Sequence, residues 1–411
     1  MTADHGKRTE DVLSDICSRI FGADLVIRSP LVLEPSGAKE VADILVLVDD
    51  FLFVIQSKSL DIDISELDEV NFGRIKKRHD KAKKQLNTAL NAKSRTAIVQ
   101  GTTNLGIPFL LEWDRIKNLV GIITLNLPDK VYQDPEFRFQ YPEAISSQRG
   151  VEIHTFVLRD LWEASVELTT PGDFILYLIA RTKCLRSGNF VIGNELDLLA
   201  LFKTDYPTLE KAKSDPAFRV LLAPGLWEGF RSNRRVELDQ RQKRYESSYI
   251  IDTVIHKLCS AVDESCKMHG CDAQESAVNY FLLIGKLAKL ARMERAKISD
   301  RILEKAKKTE DHKYGYFMYI CTHFRIGYLF LLLNEEDRRS RINFLSFLAE
   351  QACHRIDADF LVAIGTDGRQ QDNHSIDAFV ADVADVKANS EPDPEYPMFG
   401  ELTMGEINEW S

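Results

Sequence analysis

No apolar run in the chain approaches the roughly 20 residues that cross a bilayer; runs such as Ile44–Val48 and Tyr328–Leu333 fall far short. Nor does Met1-Thr-Ala-Asp-His open the charged-then-apolar pattern of a secretory leader. The expectation is a protein without membrane attachment, in the cytoplasm. GxxxxGK[ST], GxGxxG and HExxH are all missing, so ATP hydrolysis, dinucleotide binding and zincin chemistry have no support. Any energy-driven step would need a partner protein. The 7 cysteines, odd in number and irregularly spaced, give no disulfide framework and fit reduced thiols. Cys259, Cys266, His269 and Cys271 are zinc-type ligands without the paired spacing of structural zinc sites, so thiols in or near a helix are expected. Positive charge is in the minority, 53 Lys and Arg against 63 Asp and Glu. A net charge of −10 does not advertise nucleic-acid binding by the chain as a whole, although it leaves room for a local basic surface.

What is present is an ordinary globular composition, 44% hydrophobic and 28% charged over 411 residues, enough for two to four compact units. Val12, Leu13, Ile16 and Ile20 recur at helical spacing between Gly6 and Phe21. Leu25–Leu33, Val41–Val48, Phe51–Lys58, Thr96–Gly101, Leu119–Leu125 and Val151–Leu158 read as strands, and Arg74–Ala92 and Asp160–Val166 as helices. This alternation predicts an α/β sandwich, a sheet covered by helices, over residues 1–165. A mainly helical region is expected over 166–310, a small α/β unit over 311–390, and an acidic, loosely ordered tail over 391–411.

The informative segment is Ala42-Asp43-Ile44-Leu45-Val46-Leu47-Val48-Asp49-Asp50-Phe51-Leu52-Phe53-Val54-Ile55-Gln56-Ser57-Lys58. An even-numbered turn centred on Asp49-Asp50 makes opposing residues sum to 99, which sets Asp43 across from Gln56. Lys58 then points to the same face, because strand side chains alternate with period two. A carboxylate, an amide oxygen and an ammonium gather at one end of an apolar sheet, where burial is costly unless they are paired or bind something. The oxygens suit a hard cation such as Mg²⁺, which polarises a phosphate and acidifies a bound water, while a lysine orients that water or offsets developing charge. The same residues would also occur where strands merely leave a core.

Glu10 borders the apolar stripe of the first helix, from where a carboxylate reaches the sheet edge. Arg74, Lys76, Lys77, Arg78, Lys81, Lys83 and Lys84, opposed only by Asp80, form a basic helix of the kind that binds phosphates in a salt-sensitive way. Gln85 falls angularly between Ala82 and Ala89 and faces inward. A second basic cluster, Arg231 to Arg244 with Trp227, Phe230 and Tyr245, reads as a solvated linker helix, and Phe360–Gly368 as a strand running out into a loop.

The order Glu10 on a helix, Asp43, Gln56-Ser57-Lys58, then the basic Lys81-Ala-Lys-Lys-Gln85-Leu86 helix resembles the PD-(D/E)XK nuclease superfamily. Gln in place of Glu is similar to the QxK subgroup of Mrr-like and nuclease-related domains. The resemblance covers residues 1–165 and implies a restriction-endonuclease-like αβββαβ core with metal-dependent phosphodiester hydrolysis. It implies Asp43 and Gln56 as ligands of Mg²⁺, with Mn²⁺ as substitute, and assistance from the Ser57 carbonyl. Lys58 becomes the catalytic lysine and Glu10 an accessory acid. Lys77, Arg78, Lys81, Lys84 and Gln85 would face nucleic acid, in the first instance DNA. A role in prokaryotic defence or DNA processing is what the resemblance implies, while the acidic remainder of the chain suggests activity gated by a partner or by homo-oligomerisation. Ala42 stands where the family often has Pro, and the neutral Gln56 leaves open a catalytically silent, nucleic-acid-binding scaffold.

Overall fold

A computed structural model describes the protein outside residues 1, 35–36, 61–68, 96, 129–130, 133–143, 188–189, 193, 206, 210, 212–214, 216–217, 223, 234–242, 244, 270–272, 310–313, 334–337, 368–374, 394–401 and 406–411. It is mixed α/β, and it divides into two compact units, one mainly residues 1–237 and the other mainly 238–409.

The first unit opens with α1 (Thr2–Phe21), whose Leu13, Ile16, Cys17 and Ile20 are buried. Val12, counted with that stripe in the sequence, stays outside at 37% exposure. The apolar stretch 25–33 is two strands, not one. Ser29 takes a left-handed φ of +43° and Pro30 has no N–H to give a ladder, so the chain breaks there. β1 (Val26–Arg28) joins the main sheet, whereas β2 (Leu31–Glu34) and β3 (Gly37–Glu40) pair in a smaller one. Then follow β4 (Ile44–Val48), β5 (Phe51–Ser59), α2 (Glu69–Ser94), β6 (Val99–Thr102), β7 (Pro108–Leu111), β8 (Asn118–Asn126), β9 (Ile145–Gln148) and β10 (Val151–Val157).

The main sheet has the order β1-β4-β5-β8-β10-β9. Its first three strands are antiparallel, β5, β8 and β10 run parallel, and β9 closes the edge antiparallel. α2 lies within the crossover from β5 to β8, as parallel neighbours require. The two long helices cover opposite faces. On one face Asn126 Nδ2 of β8 donates to Thr9 Oγ1 of α1 at 3.0 Å, and Phe53 of β5 packs on Phe21. On the other, His79 Nε2 of α2 meets Thr155 Oγ1 of β10 at 3.0 Å, and a side chain at Gly121 would strike Leu86 of α2.

The unit continues with α3 (Leu158–Ser165), α4 (Pro171–Ser187), β11 (Phe190–Ile192), α5 (Glu195–Thr204), β12 (Val220–Leu222) and α6 (Leu226–Asn233). Its largest fully buried side chain is Arg181, at 0% exposure. Nε and Nη2 form a fork on Glu195, both at 2.8 Å, and Nη1 and Nη2 donate to the carbonyls of Ala144 and Thr155. Nη1 also meets His154 Nδ1 at 3.1 Å, which leaves His154 Nε2–H to donate to Glu152 at 2.8 Å. This is the neutral tautomer, and burial, then the nearby Arg181 charge, holds the His154 pKa below its ordinary value, against the pull of Glu152. The sign for stability follows. Below about pH 6.5 the unfolded chain takes a proton that folded His154 refuses, so stability is present above that pH and lost as pH falls. Urea midpoints measured from pH 7.5 to 5 should therefore decline, and less steeply in His154→Gln.

The second unit contains α7 (Tyr249–His269), most of α8 (Ala273–Ala288), α9 (Arg292–Thr309), β13 (Tyr314–Cys321), β14 (Ile326–Leu333), α10 (Arg338–Cys353), β15 (Phe360–Asp367), β16 (Ile376–Asp382), α11 (Val383–Asn389) and β17 (Leu402–Gly405). Its sheet runs β16-β15-β14-β13-β17, with Leu345, Leu348 and Ala352 of α10 buried against Leu329, Leu331 and Leu361. The helical span 166–310 is thus no unit of its own: its first part packs with the first unit and α7 and α9 with the second. Arg292 and Arg295 of α9 both reach Asp252 of α7, and Tyr319 of β13 donates to Glu294 of α9 at 3.2 Å. Within the tail expected to be loose, β17 pairs parallel to β13, while 394–401 and 406–411 lie outside the described residues. Among the described residues no helix is long and apolar enough to cross a membrane.

Candidate functional site

β4 and β5 meet in the expected register. Val48 pairs with Phe51, Leu47 with Leu52 and Ile44 with Ile55, each pair summing to 99. The reversal is the two-residue Asp49-Asp50, with Asp49 at φ +55°, a conformation Asp tolerates well. One step beyond the last pair, Asp43 stands opposite Gln56. It is fixed at both ends: its Oδ2 accepts from Ser57 N–H at 2.6 Å and its carbonyl accepts from Ser29 N–H at 3.0 Å.

Gln56 and Lys58 lie on the face of β5 that α2 covers, since Phe53, an odd position, faces α1. Gln56 is 3% exposed, and its Oε1 is buried with no hydrogen-bond partner among the described residues. Such an oxygen carries its full desolvation penalty. Lys58 is half-buried, and its Nζ donates to the Ser57 carbonyl at 2.7 Å. That carbonyl, which the family resemblance implies as a metal ligand, is therefore engaged by the lysine. Ser57 Oγ and its β8 neighbour Thr124 Oγ1 are also buried without partners among the described residues, on the α1 face, a pair the sequence did not single out.

Electrostatics join the elements. Burial raises the Asp43 pKa, opposed by Lys58 and the Ser57 N–H. Burial lowers that of Lys58; Lys81 and Arg78 of α2 push the same way, while Asp43 and Glu10 resist. Glu10, on the open side of α1, is raised by partial burial, then by Asp43 and Glu40, with Lys58 and Arg28 opposing. Glu10, Asp43, Lys58, Arg78 and Lys81 thus converge from α1, β5, α2 and the entrance to β4. Glu40 of β3 is an addition, because a Gly-Ala-Lys-Glu strand with every residue exposed shows no alternation to read.

Lys77, Arg78, Lys81 and Lys84 are exposed along one side of α2. Lys77 and Lys84 belong to the surface around the site and do not touch its ionisable groups through any described contact. Gln85 faces inward as its angle predicts, with Oε1 buried and unpartnered among the described residues. In the second basic cluster, Arg234, Arg235, Arg241 and Arg244 lie outside the described residues, Arg231 pairs with Glu163 at 3.0 Å, and Trp227 stacks on Phe230 in the interior. Cys259 is buried and in no disulfide; Cys271 and the side chains of Cys266 and His269 lie outside the described residues.

The donors present fit a hard cation. A carboxylate from Asp43, the orphaned amide oxygen of Gln56 and the carboxylate of Glu10 are all oxygen ligands, and Mg²⁺ binds through one or two carboxylates while keeping waters. No group of three or more His, Cys, Asp or Glu that could hold a metal ion assembles among the described residues. Comparison of the chain with models of known families, with curated proteins and with solved structures finds no match.

Proposed function

We propose that the first unit is a metal-dependent phosphodiesterase of the restriction-endonuclease-like class, acting on nucleic acid and in the first instance on DNA. The observation that carries this reading is the buried, unpartnered Gln56 Oε1 on the face it shares with Lys58, across the hairpin from Asp43. An amide oxygen left so at a sheet end is costly in an empty protein and suited to a cation. For the main sheet, α1, the antiparallel strands β1, β4 and β5, α2 and the parallel strand β8 follow one another as that class requires, with β2–β3 and β6–β7 inserted as a separate sheet, and this supports the reading as well.

In this reading Asp43 and Gln56 hold Mg²⁺ or Mn²⁺, with Glu10 as the accessory acid. The bound ion supplies Lewis acidity toward a phosphate oxygen and a more acidic water. Lys58 leaves the Ser57 carbonyl to meet the charge that develops on the phosphate. Arg78 and Lys81, extended by Lys77 and Lys84, hold the backbone, with Gln85 lining the inner side of the helix. The biological setting we propose is cytoplasmic, defence against foreign DNA or DNA processing, with activity gated by a partner protein or a second copy. Two observations favour a second reading. The Lys58–Ser57 contact and the neutral Gln56 also suit a nuclease-fold scaffold that binds nucleic acid without cutting it.

Mn²⁺ titration followed by electron paramagnetic resonance tests the first reading. Wild type should bind one ion, and Gln56→Leu should weaken binding by at least the roughly 10–100-fold typical of losing an outer partner. A folded wild type that binds no Mn²⁺ favours the scaffold.

A further inference from the structure

The opposite end of the main sheet carries a second feature. Lys58 lies seven residues along β5 from Phe51, about 23 Å at 3.3 Å per residue. Beside Phe51 the first unit opens into a cleft of about 490 Å³. That volume falls within the roughly 300–1,000 Å³ of small-ligand sites. One wall is apolar, formed by Phe51 with Ile175 and Ile179 of α4; Ile179 is 40% exposed. The Phe51 ring is stacked on Phe53 with an interplanar angle of 17°, so its orientation is fixed from behind.

The rim is cationic. Lys93 ends α2, Lys117 precedes β8, and Arg149 sits in the turn between β9 and β10. Among the described residues none of the three forms an ion pair, and Arg149 donates to the neutral Asn91 at 2.6 Å. The acid that lines the cleft, Glu152, is already committed to His154 and Arg186, each at 2.8 Å, and to Thr182. Its charge does not neutralise the rim. Three like charges around one concavity lower its affinity for cations and raise it for a multiply charged anion.

We propose that this cleft binds a small phosphorylated ligand with a flat apolar body, a nucleoside monophosphate serving as the type. The rim takes the phosphate, and the body lies against Phe51 and Ile179, as bases stack on aromatic side chains. A free phosphate would leave the apolar wall unused, and a flat neutral molecule would leave the three cations unmatched. The proposal stands on the cleft alone and does not depend on the phosphodiesterase reading.

The test is calorimetric titration of the full chain with AMP, adenosine, inorganic phosphate and a short DNA duplex. AMP should bind at least tenfold more tightly than adenosine or phosphate. The double variant Lys93→Gln/Lys117→Gln should lose at least tenfold, and Asp43→Ala should bind AMP as wild type does. Three results overturn the proposal: no AMP binding at millimolar concentration, AMP binding unchanged in the double variant, or AMP and phosphate binding equally. Duplex binding that the double variant weakens, with no AMP binding, assigns the cations to a macromolecular contact and also overturns it.

Discussion

Arg181→Met should destabilise the first unit by about 3–5 kcal/mol, the usual consequence of removing one partner of a buried ion pair. Arg181 is wholly buried and Glu195 is 16% exposed, so the variant leaves a carboxylate in the interior without its counter-charge. The carbonyls of Ala144 and Thr155 and the ring nitrogen of His154 lose a donor in the same step. The guanidinium also lies 4.4 Å from the centre of the Phe156 ring, a contact Met replaces only in part. The surface pair Arg28–Asp11 supplies the contrast, with similar length at 2.6 Å but about half of each side chain in water. Arg28→Ala should cost no more than about 1 kcal/mol, because water already solvates both charges. Urea unfolding of both variants beside wild type checks the difference. Adding Glu195→Gln to Arg181→Met should recover part of the loss, since the buried charge goes with its partner. Equal effects of the Arg181 and Arg28 substitutions would show that the network is not a fixed element of the core.

The second large effect concerns the proposed chemistry. Lys58→Ala should lower metal-dependent cleavage by about 10²–10⁴-fold, the range lost with a positioned proton-handling or charge-stabilising group. It should leave Mn²⁺ binding in place. Asp43→Ala should remove both, because its carboxylate is a proposed ligand and also accepts the Ser57 N–H. The pair of readouts separates a ligand from a group that acts on the phosphate. Thermal unfolding of each variant guards against trivial loss, and Lys58, half-buried at a sheet end, is the better tolerated of the two.

The hairpin was legible because two acidic residues interrupt apolar runs on either side, and an even turn admits only one face for Asp43, Gln56 and Lys58. The inward angle of Gln85 followed from helical periodicity alone. Other features left no such trace. The break at Ser29-Pro30 is a left-handed residue followed by a missing donor, and the apolar pattern runs straight across it. β3 and β16 lack the clean alternation of buried and exposed residues that marks a strand from sequence. Arg181 sits within an apolar helix and finds Glu195 fourteen residues later, a pairing that only the packing of α4 and α5 creates. The domain boundary escaped for the same reason: helices on both sides of residue 237 look alike in sequence and differ in what they pack against. The Lys58–Ser57 carbonyl contact is likewise a matter of rotamer, which spacing does not encode.

Cleavage of supercoiled plasmid, linear duplex, single-stranded DNA and RNA with Mg²⁺ or Mn²⁺ tests the proposed function most directly. The proposed site predicts cutting of a DNA substrate that EDTA stops and that Asp43→Ala and Lys58→Ala lack. A folded wild-type protein that binds no Mn²⁺ and cuts none of the four would contradict it.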